Sequence, residues 1–274
     1  MSHQPVAVIT GAGSGLGAAM AHHFAADGYA VAVTDIDAKR AAGVASELRR
    51  TGAAAIDACL DVTRQSEWDR LAQRVVAEWG GCNVLVNNAG VAVAGNCEDT
   101  PLEDWEWVLD VDLMGVIRGC HRFIPLLRSE AADGQQAHVV NVSSFAGFSA
   151  MPGLSAYGTA KAAVIAFSEH LKTELDEAGV GVSVVCPMFV QTNLMQTFRS
   201  ADTTYTERVE RWMARSGVSA EDVAAAVAEA VRDRRFLVLT HPGSRFALLL
   251  KRWWPSRYYR QVQRLSARAD GRTA

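Results

Sequence analysis

The chain has 274 residues, a hydrophobic fraction of 49% and a formal net charge of −3. This length fits one α/β domain with a large core, and the weak acidity argues against nucleic acid as a partner. The five cysteines lack the spacing of a metal site, so we expect no metal, free thiols and a reducing cytoplasmic location. We expect no signal peptide, since a strand is predicted from residue 6, and no membrane-spanning segment.

Apolar strands alternate with helices along the chain. Such strands, joined by helices, are typical of a parallel sheet with both faces covered, so the pattern predicts a doubly wound α/β fold of about seven strands. The predicted strands lie at residues 6–10, 30–34, 54–60, 83–86 and 138–142, just before Cys186, and at 236–239. The predicted helices lie at residues 16–27, 38–50, 65–79, 101–113, 115–129, 155–178, 205–215 and 219–232.

A glycine-rich turn directly follows the first predicted strand. Residues 10–17 read Thr-Gly-Ala-Gly-Ser-Gly-Leu-Gly, and a helix is predicted immediately after them. Glycine permits the tight turn and the close approach of a pyrophosphate, and the first N–H groups of the helix then point at the phosphates. The motif therefore predicts a dinucleotide site. Its expected contacts are Gly11, Ser14, Gly15, Leu16 and Gly17.

Asp35 closes the second predicted strand, 18 residues after Gly17. An acidic residue at this place hydrogen-bonds the adenosine ribose and repels a 2′-phosphate, so we expect NAD rather than NADP as the cofactor. Lys39 and Arg40 follow, and we expect them on a solvated helix face. The alternative is that Asp35 only caps the next helix.

The fourth predicted strand ends in Asn87-Asn88-Ala89-Gly90. Small and amide residues at the carboxyl end of a strand can line the crevice in which a dinucleotide binds, so Asn88, Ala89 and Gly90 are predicted cofactor contacts. An ordinary Asn/Gly turn is the alternative.

Ser144, Tyr157 and Lys161 form the predicted catalytic set. Ser144 ends the fifth predicted strand, and the spacing of Tyr157 and Lys161 places them on one face of a helix. A nearby cation favours the phenolate, so we expect Lys161 to lower the pKa of Tyr157 and make it a proton donor and acceptor near neutral pH. A solvent-exposed Tyr/Lys pair is the alternative.

Taken together, these motifs resemble those of the short-chain dehydrogenase/reductase family over about residues 6–239. The resemblance implies a Rossmann-type sheet and an NAD(P)-dependent alcohol/ketone oxidoreductase that forms a homodimer or homotetramer. Tyr157 would be the acid/base, Lys161 would also hold the nicotinamide ribose, and Ser144 would orient the substrate oxygen. Further implied cofactor contacts are Asp61, Val62, Asn88, Gly90, Pro187, Val190 and Thr192.

Two residues depart from the family pattern. Asp112 stands where the family has a fourth catalytic residue, an asparagine that supports a proton-carrying water. Its negative charge could raise the pKa of Lys161 or pair with it, and we expect activity to survive. Met188 replaces the glycine of a Pro-Gly turn and adds a flexible apolar side chain.

The residues expected around the substrate are nearly all apolar, which favours a bulky apolar or aromatic substrate. They are Phe145, Phe148, Met151, Met188, Phe189, Leu194, Met195 and Phe198, and about residues 188–217 are expected to form a lobe over the substrate. We predict oxidation of a secondary alcohol to a ketone. The alternatives are an NADH-linked ketone or 3-oxoacyl reductase, and a catalytically poor NAD-binding sensor or scaffold.

The sequence predicts one catalytic domain over residues 1–240 and a basic, aromatic extension over 241–274. From residue 245 onward there are eight basic residues and one acid, together with a short apolar run. Such a segment could pack on a second subunit or cover the mouth of the substrate site. It could instead lie on an anionic membrane through residues 245–265, which would make the protein membrane-peripheral, or form a disordered tail.

Overall fold

The computed structural model describes residues 4–191, 193–200 and 203–269. Its main sheet has seven parallel strands in the order β3-β2-β1-β4-β6-β7-β9, and β5 pairs with β8 beside it. The strands are β1 Val6–Ile9, β2 Ala30–Asp35, β3 Ala55–Cys59, β4 Val84–Asn87, β5 Val93–Ala94, β6 His138–Val142, β7 Gly181–Val185, β8 Arg199–Ser200 and β9 Leu237–Val238. The predicted doubly wound α/β fold is confirmed.

Helices cover both faces of the sheet, because the buried strands are apolar on both sides. Ala7 and Ile9 of β1 pack with α1, α2 and α9, whereas Val6 and Val8 pack with α3, α5 and α7. The helices are α1 Gly15–Ala26, α2 Ala38–Arg50, α3 Gln65–Trp79, α4 Leu102–Leu109, α5 Gly115–Ala132, α6 Ala146–Ser149, α7 Ser155–Leu175, α8 Thr203–Ala214, α9 Ala220–Arg232, α10 Ser244–Trp253 and α11 Pro255–Ala269.

The two helices predicted between residues 101 and 129 are joined without a break into one continuous helical segment. The turn Asp110–Met114 that joins α4 to α5 is π-helical, and the residues at both of its ends keep right-handed helical angles. A π-turn inserts one extra residue without breaking the helix, which a pattern of apolar residues does not reveal. The insertion places Asp112 inside the protein, where it is fully buried.

Three short elements were not predicted. Helix α6 lies between the predicted strand at 138–142 and the predicted helix at 155–178, and the pairing of β5 with β8 joins the chain after β4 to the predicted lobe. Within that lobe α8 corresponds to the predicted helix at 205–215. These elements place the loop around α6 and the lobe on either side of the carboxyl ends of β6 and β7.

Beyond β9 the chain continues as α10 and α11, so the described part of the extension is helical rather than a disordered tail. The inward residues of α10 recur at intervals of three and four, as an amphipathic helix requires. Among the described residues, no helix is both long enough and apolar enough to cross a membrane.

Candidate active site

The glycine turn packs so closely on itself and on the segment after β4 that side chains are excluded at two of its positions. Gly11 has a φ of +62°, and a Cβ there would lie 2.9 Å from the Cα of Ala89. A Cβ on Gly17 would collide with the Gly11 carbonyl. Ser14 precedes α1 but makes no side-chain cap, so the first N–H groups of this helix remain available for phosphate oxygens.

Asp35 lies at the far end of this turn, with its carboxylate held on both sides. Oδ2 accepts from the Gly13 N–H at 3.1 Å, and Oδ1 accepts from the Asp37 N–H at 2.9 Å. A carboxylate has about four acceptor sites, so two sites remain for ribose hydroxyls. The alternative role as helix cap is wrong, since Asp37 caps α2 by accepting from the Lys39 and Arg40 N–H groups.

The expected position of Arg40 on a solvated helix face is wrong, while Lys39 is exposed as expected. The Arg40 side chain lines the cavity described below, and its Nε lies 3.3 Å from Asp37 Oδ2 and 4.0 Å from Asp35 Oδ1. A basic side chain therefore lies beside the acid that is expected to exclude a 2′-phosphate.

The segment after β4 ties the glycine turn to the catalytic residues. The Asn88 side chain donates to the carbonyls of Thr10 at 2.8 Å and Gly11 at 3.2 Å, so its amide shapes the turn. A Cβ on Gly90 would lie 3.3 Å from Lys161 Nζ and 3.4 Å from Asp112 Oδ1. Glycine at position 90 therefore keeps the cavity open beside the lysine.

A buried ion pair forms the floor of the site. Lys161 Nζ lies 3.0 Å from Asp112 Oδ2, and the two side chains are 4% and 0% exposed. The Val91 N–H donates to Asp112 Oδ1 at 2.8 Å, and Lys161 Nζ also donates to the Val142 carbonyl at 3.2 Å. Each charge thus has more than one partner, which a buried pair needs to offset its desolvation.

This pair sets the electrostatics of the floor. Burial opposes the charged form of Lys161, but the charge and hydrogen bond of Asp112, together with Tyr157 and Cys186, outweigh it and raise the pKa of the lysine. Burial also raises the pKa of Asp112, against the attraction of Lys161. Of the two expected effects of Asp112, raising the pKa of Lys161 or pairing with it, both occur.

Tyr157 lies on the same face of α7, with Lys161 Nζ 5.7 Å from its ring centre. The pKa of Tyr157 is raised, first by burial and also by the Asp112 charge, although Lys161 and a hydrogen bond with Ser144 lower it. The expected net lowering of this pKa is therefore wrong, because burial of the phenol and the Asp112 carboxylate outweigh the ammonium. The tyrosine still keeps part of its surface open to the cavity that it lines.

The predicted residues meet in a single cavity of about 850 Å³. It extends from Asp35 past Tyr157 to the C-terminal helices. The predicted cofactor and catalytic residues along it are Gly11, Ser14, Gly15, Leu16, Gly17, Asp35, Asp61, Val62, Asn88, Ala89, Gly90, Asp112, Ser144, Tyr157, Lys161, Pro187 and Val190. Thr192 lies outside the described residues.

Most of the predicted substrate residues also line this cavity. These are Phe145, Met151, Met188, Phe189, Leu194 and Phe198. Two predictions are wrong: Phe148 packs beside Ile165 and Val184 in a small core cluster, and Met195 is absent from the lining. The α8 residues Trp212 and Met213 contribute instead, and Trp212 stacks on Phe189 with ring centres 4.9 Å apart.

Helices α10 and α11 form a roof over the substrate end of the cavity. Lys251 Nζ donates to the Phe148 carbonyl at 2.6 Å, and the Tyr258 hydroxyl donates to the Ser149 carbonyl at 3.0 Å. Sequence analysis gave several alternatives for the extension. The described residues fit the one in which the extension covers the substrate site. Sequence reasoning missed the individual lining residues here, namely Ser244, Phe246, Ala247, Leu250, Tyr258, Gln261, Val262 and Leu265.

Met188, the second departure from the family pattern, joins the roof to the lobe. Its N–H donates to His241 Nδ1 at 3.3 Å, and Ser244 Oγ lies 3.7 Å from its sulfur. His241 Nε2 also lies 3.1 Å from the Phe189 carbonyl. Burial lowers the pKa of His241, which favours the neutral ring. The methionine therefore occupies the junction at which α10 begins.

The cavity fits a nicotinamide dinucleotide. Asp35 contacts the glycine turn at Gly13, the turn packs against the segment after β4, and Gly90 of that segment lies beside Lys161. The adenosine ribose, the phosphates and the nicotinamide ribose would each meet suitable chemistry in that order.

Comparison with known proteins identifies the family. The family model described as short chain dehydrogenase matches residues 5–203. This chain therefore belongs to the short-chain dehydrogenase family. Its fold and the motifs on which the resemblance rested agree with that assignment.

Several relatives are similar over most of this chain. A probable oxidoreductase, EphD, of Mycobacterium bovis is 37% identical over 235 residues, which cover 83% of this chain but only 39% of that protein. The C alpha-dehydrogenase of Sphingobium sp. is 32% identical over 254 residues, covering 89% of this chain and 82% of that one. A crystal structure of a short chain dehydrogenase/reductase from Burkholderia phymatum in complex with NAD has a TM-score of 0.85 at 33% identity, covering 92% and 95% of the two chains.

Proposed function

We propose that this protein is an NAD-dependent oxidoreductase that interconverts a secondary alcohol and a ketone on a bulky apolar or aromatic substrate. The observation that carries the proposal is the single cavity in which Ser144, Tyr157 and Lys161 lie between a dinucleotide groove and an apolar chamber. A substrate oxygen beside Tyr157 would thus have a proton donor or acceptor, and its carbon skeleton would meet apolar side chains.

Each residue of the floor has a distinct task in this proposal. Tyr157 takes the hydroxyl proton of an alcohol or returns it to a ketone, and Ser144 holds the same oxygen by a hydrogen bond. Lys161 supplies a positive charge that favours the phenolate form of Tyr157. A bound nicotinamide would supply or accept the hydride. Asp112 keeps Lys161 charged and fixed at 3.0 Å.

The preference for NAD rests on Asp35. Its carboxylate is held in place by two backbone N–H groups and would face the 2′ position of the adenosine ribose, where a phosphate would be repelled. The Burkholderia relative, whose structure contains NAD, supports the same preference. Arg40 beside this carboxylate is the residue that could favour NADP, so the preference needs a direct measurement.

The substrate class follows from the chamber lining. Phe145, Met151, Phe189, Phe198 and Trp212 offer aromatic and thioether surface with few hydrogen-bonding groups. Such a lining favours a bulky apolar molecule over a sugar or short polyol. The name C alpha-dehydrogenase, given to the Sphingobium relative, supports dehydrogenation at a carbon centre.

Reduction of a ketone is the second candidate, and one observation favours it. The pKa of Tyr157 is raised, first by burial, so the phenol keeps its proton at neutral pH. A protonated phenol is a donor, which reduction requires, whereas oxidation of an alcohol requires the phenolate. In this reading the protein is an NADH-linked ketone or 3-oxoacyl reductase with the same residues in the same roles.

We also propose that the protein forms a homodimer or homotetramer through α4, α5 and α7. Leu102 of α4 is 75% exposed, and Met114, in the turn just before α5, is 40% exposed, so these helices carry apolar side chains that a second copy could cover. The exposed, unpaired thiols of Cys59 and Cys97 support the proposed cytoplasmic location.

The test is NADH formation and consumption over a panel of apolar secondary alcohols and their ketones, with NADP(H) run in parallel. Replacement Tyr157→Phe should lower kcat by a factor of about 10²–10⁴, the usual contribution of a general acid/base. Tyr29→Phe is the matched control, because its hydroxyl bonds Gln136, away from the cavity. Tight NAD binding with no turnover on any alcohol or ketone would contradict the proposal and favour the sensor or scaffold.

A further inference from the structure

The outer surface of the roof has no role in the proposed function. We define it as the outer face: the exposed side chains of α10, α11 and the residue between them. Its bulky apolar members are Phe246, Leu249, Trp253, Trp254, Tyr259 and Leu265, and its basic members are Arg245, Arg252, Arg257, Arg260 and Arg264. Among the described residues of this face there is no carboxylate.

The orientation of the outer face is fixed from below. Lys251 and Tyr258 turn inward and bond the carbonyls of Phe148 and Ser149, and Val262 is buried one turn further along α11. Helical periodicity then directs the residues between these anchors to the outside. Trp253 and Trp254 are accordingly 66% and 55% exposed, at the junction of the two helices.

The charge of this segment is opposite to that of the rest of the chain. Residues 245–274 have eight basic residues and one acid, a net charge of +7, which leaves −10 for the remainder when the whole chain has −3. Among the described residues, none of the five arginines of the outer face forms an ion pair with a carboxylate. All five side chains are exposed, so their charges are accessible to an anionic partner.

We propose that the outer face docks the protein on an anionic lipid surface. Arginines interleaved with tryptophan, phenylalanine and leucine on exposed amphipathic helices suit the boundary between charged headgroups and acyl chains. A symmetric contact between two outer faces would bring arginines against arginines without a carboxylate to separate them, which disfavours a second copy as the partner.

The cavity mouth lies on the same surface. Phe246 and Leu265 both line the cavity and are 67% and 51% exposed, so the apolar lining continues onto the outer face. A lipid surface against this face would present its apolar interior to the mouth. Entry of an apolar substrate from the lipid into the cavity rests on the proposed function. Docking of the outer face on the lipid surface does not depend on it.

The test is sedimentation of the full chain with vesicles of phosphatidylcholine alone and with phosphatidylglycerol added, at low and high salt. We expect binding to the anionic vesicles that weakens as salt rises. The double replacement Arg252→Gln/Arg257→Gln should weaken binding about 30-fold, at ~1 kcal/mol for each basic residue. Trp253→Ala/Trp254→Ala should weaken it about tenfold or more through lost apolar contact.

Arg50→Gln/Val76→Ala is the matched control, since it removes an exposed arginine on α2 and an exposed apolar side chain on α3. It should bind like the parent. Failure of the parent to sediment with anionic vesicles, or equal loss in the control, would overturn the proposal. So would a change of oligomeric state in the tryptophan variant without vesicle binding, since the face would then lie between copies. NADH formation, measured separately, reports on the proposed function alone.

Discussion

The two ends of the cavity are held together in different ways. At the nucleotide end, polar groups are paired at short range: Asp35 accepts two backbone N–H groups, Asn88 donates to two carbonyls, and Lys161 contacts Asp112. At the substrate end the lining is largely apolar, and the roof is joined to the loop around α6 by the hydrogen bonds of Lys251 and Tyr258.

From this difference we infer that the nucleotide end serves proton and hydride transfer, whereas the substrate end determines which substrates bind. Hydrogen bonds and buried ion pairs hold atoms at fixed positions, which proton and hydride transfer need. Apolar contacts are non-directional, so a substrate end with an apolar lining can admit substrates of varied shape. We therefore expect changes at the nucleotide end to alter stability, cofactor choice and pH dependence, and changes at the roof to alter substrate affinity.

The largest effect is expected at the buried ion pair. Replacement Asp112→Leu leaves the buried Lys161 ammonium and the Val91 N–H without their carboxylate partner. Removal of one member of a buried pair costs about 3–5 kcal/mol in the free energy of unfolding. Urea unfolding followed by circular dichroism measures this loss.

Asp69→Leu is the control for that experiment. Asp69 pairs with Arg122 at 3.1 Å but is half exposed, so its loss should cost less than about 1 kcal/mol. Equal losses in the free energy of unfolding would mean that the buried Asp112–Lys161 pair stabilises the protein no more than the exposed Asp69–Arg122 pair does.

The nucleotide end was largely predictable from sequence, because its signals are local. Gly11 to Gly17 follow a strand, Asp35 ends one, and Tyr157 and Lys161 are one helical turn apart. The net pKa of Tyr157 was not predictable in this way. It depends on how tightly the fold packs around the phenol and on Asp112, which a π-turn 45 residues earlier in the chain brings into contact with Lys161.

The substrate end was predicted only in part. The aromatic residues after β6 and β7 were found, and residues 188–217 and, as one alternative, the extension were expected to cover the substrate, but the individual lining residues of α8, α10 and α11 were not predicted. Those helices are amphipathic, and an apolar stripe indicates burial without indicating what it covers. The same limit explains why Phe148 was placed in the pocket, although it packs beside Ile165 in the core.

Cofactor choice should respond to Asp35. Replacement Asp35→Asn removes the charge that would repel a 2′-phosphate and leaves Arg40, now 4.0 Å from that side chain, to attract it. We expect the ratio of kcat/KM for NAD to that for NADP to fall about 100-fold. Steady-state kinetics with both cofactors measures this ratio.

Asp37→Asn tests whether the effect belongs to position 35. Asp37 also pairs with Arg40, at 3.3 Å, but it caps α2 and does not line the cavity. The ratio should stay within about threefold of the parent, since this residue does not face the ribose. A large change in this variant, with little in Asp35→Asn, would assign cofactor choice to the placement of Arg40 instead.

The pH dependence should respond to Asp112. Its charge raises the pKa of Tyr157 and of Lys161, so Asp112→Asn should lower both. Alcohol oxidation needs the phenolate and declines below the pKa of Tyr157, so the acid limb of kcat/KM should move to lower pH. A variant that lost rate equally at every pH would indicate a purely structural role for Asp112.

The smallest effect is expected at the roof. The double replacement Lys251→Met/Tyr258→Phe removes the two hydrogen bonds to the carbonyls of Phe148 and Ser149 but keeps most of the apolar surface. With a net contribution of about 0.5–1.5 kcal/mol for each bond, KM for a bulky alcohol should rise about tenfold. The reacting groups lie on the floor, so kcat and the KM for NAD should stay nearly unchanged.

Tyr259→Phe, one position along α11 and 45% exposed, is the matched control and should behave like the parent. If kcat fell with the roof variant while KM did not move, the roof would have to act on the catalytic geometry itself, and the separation of the two ends would be wrong.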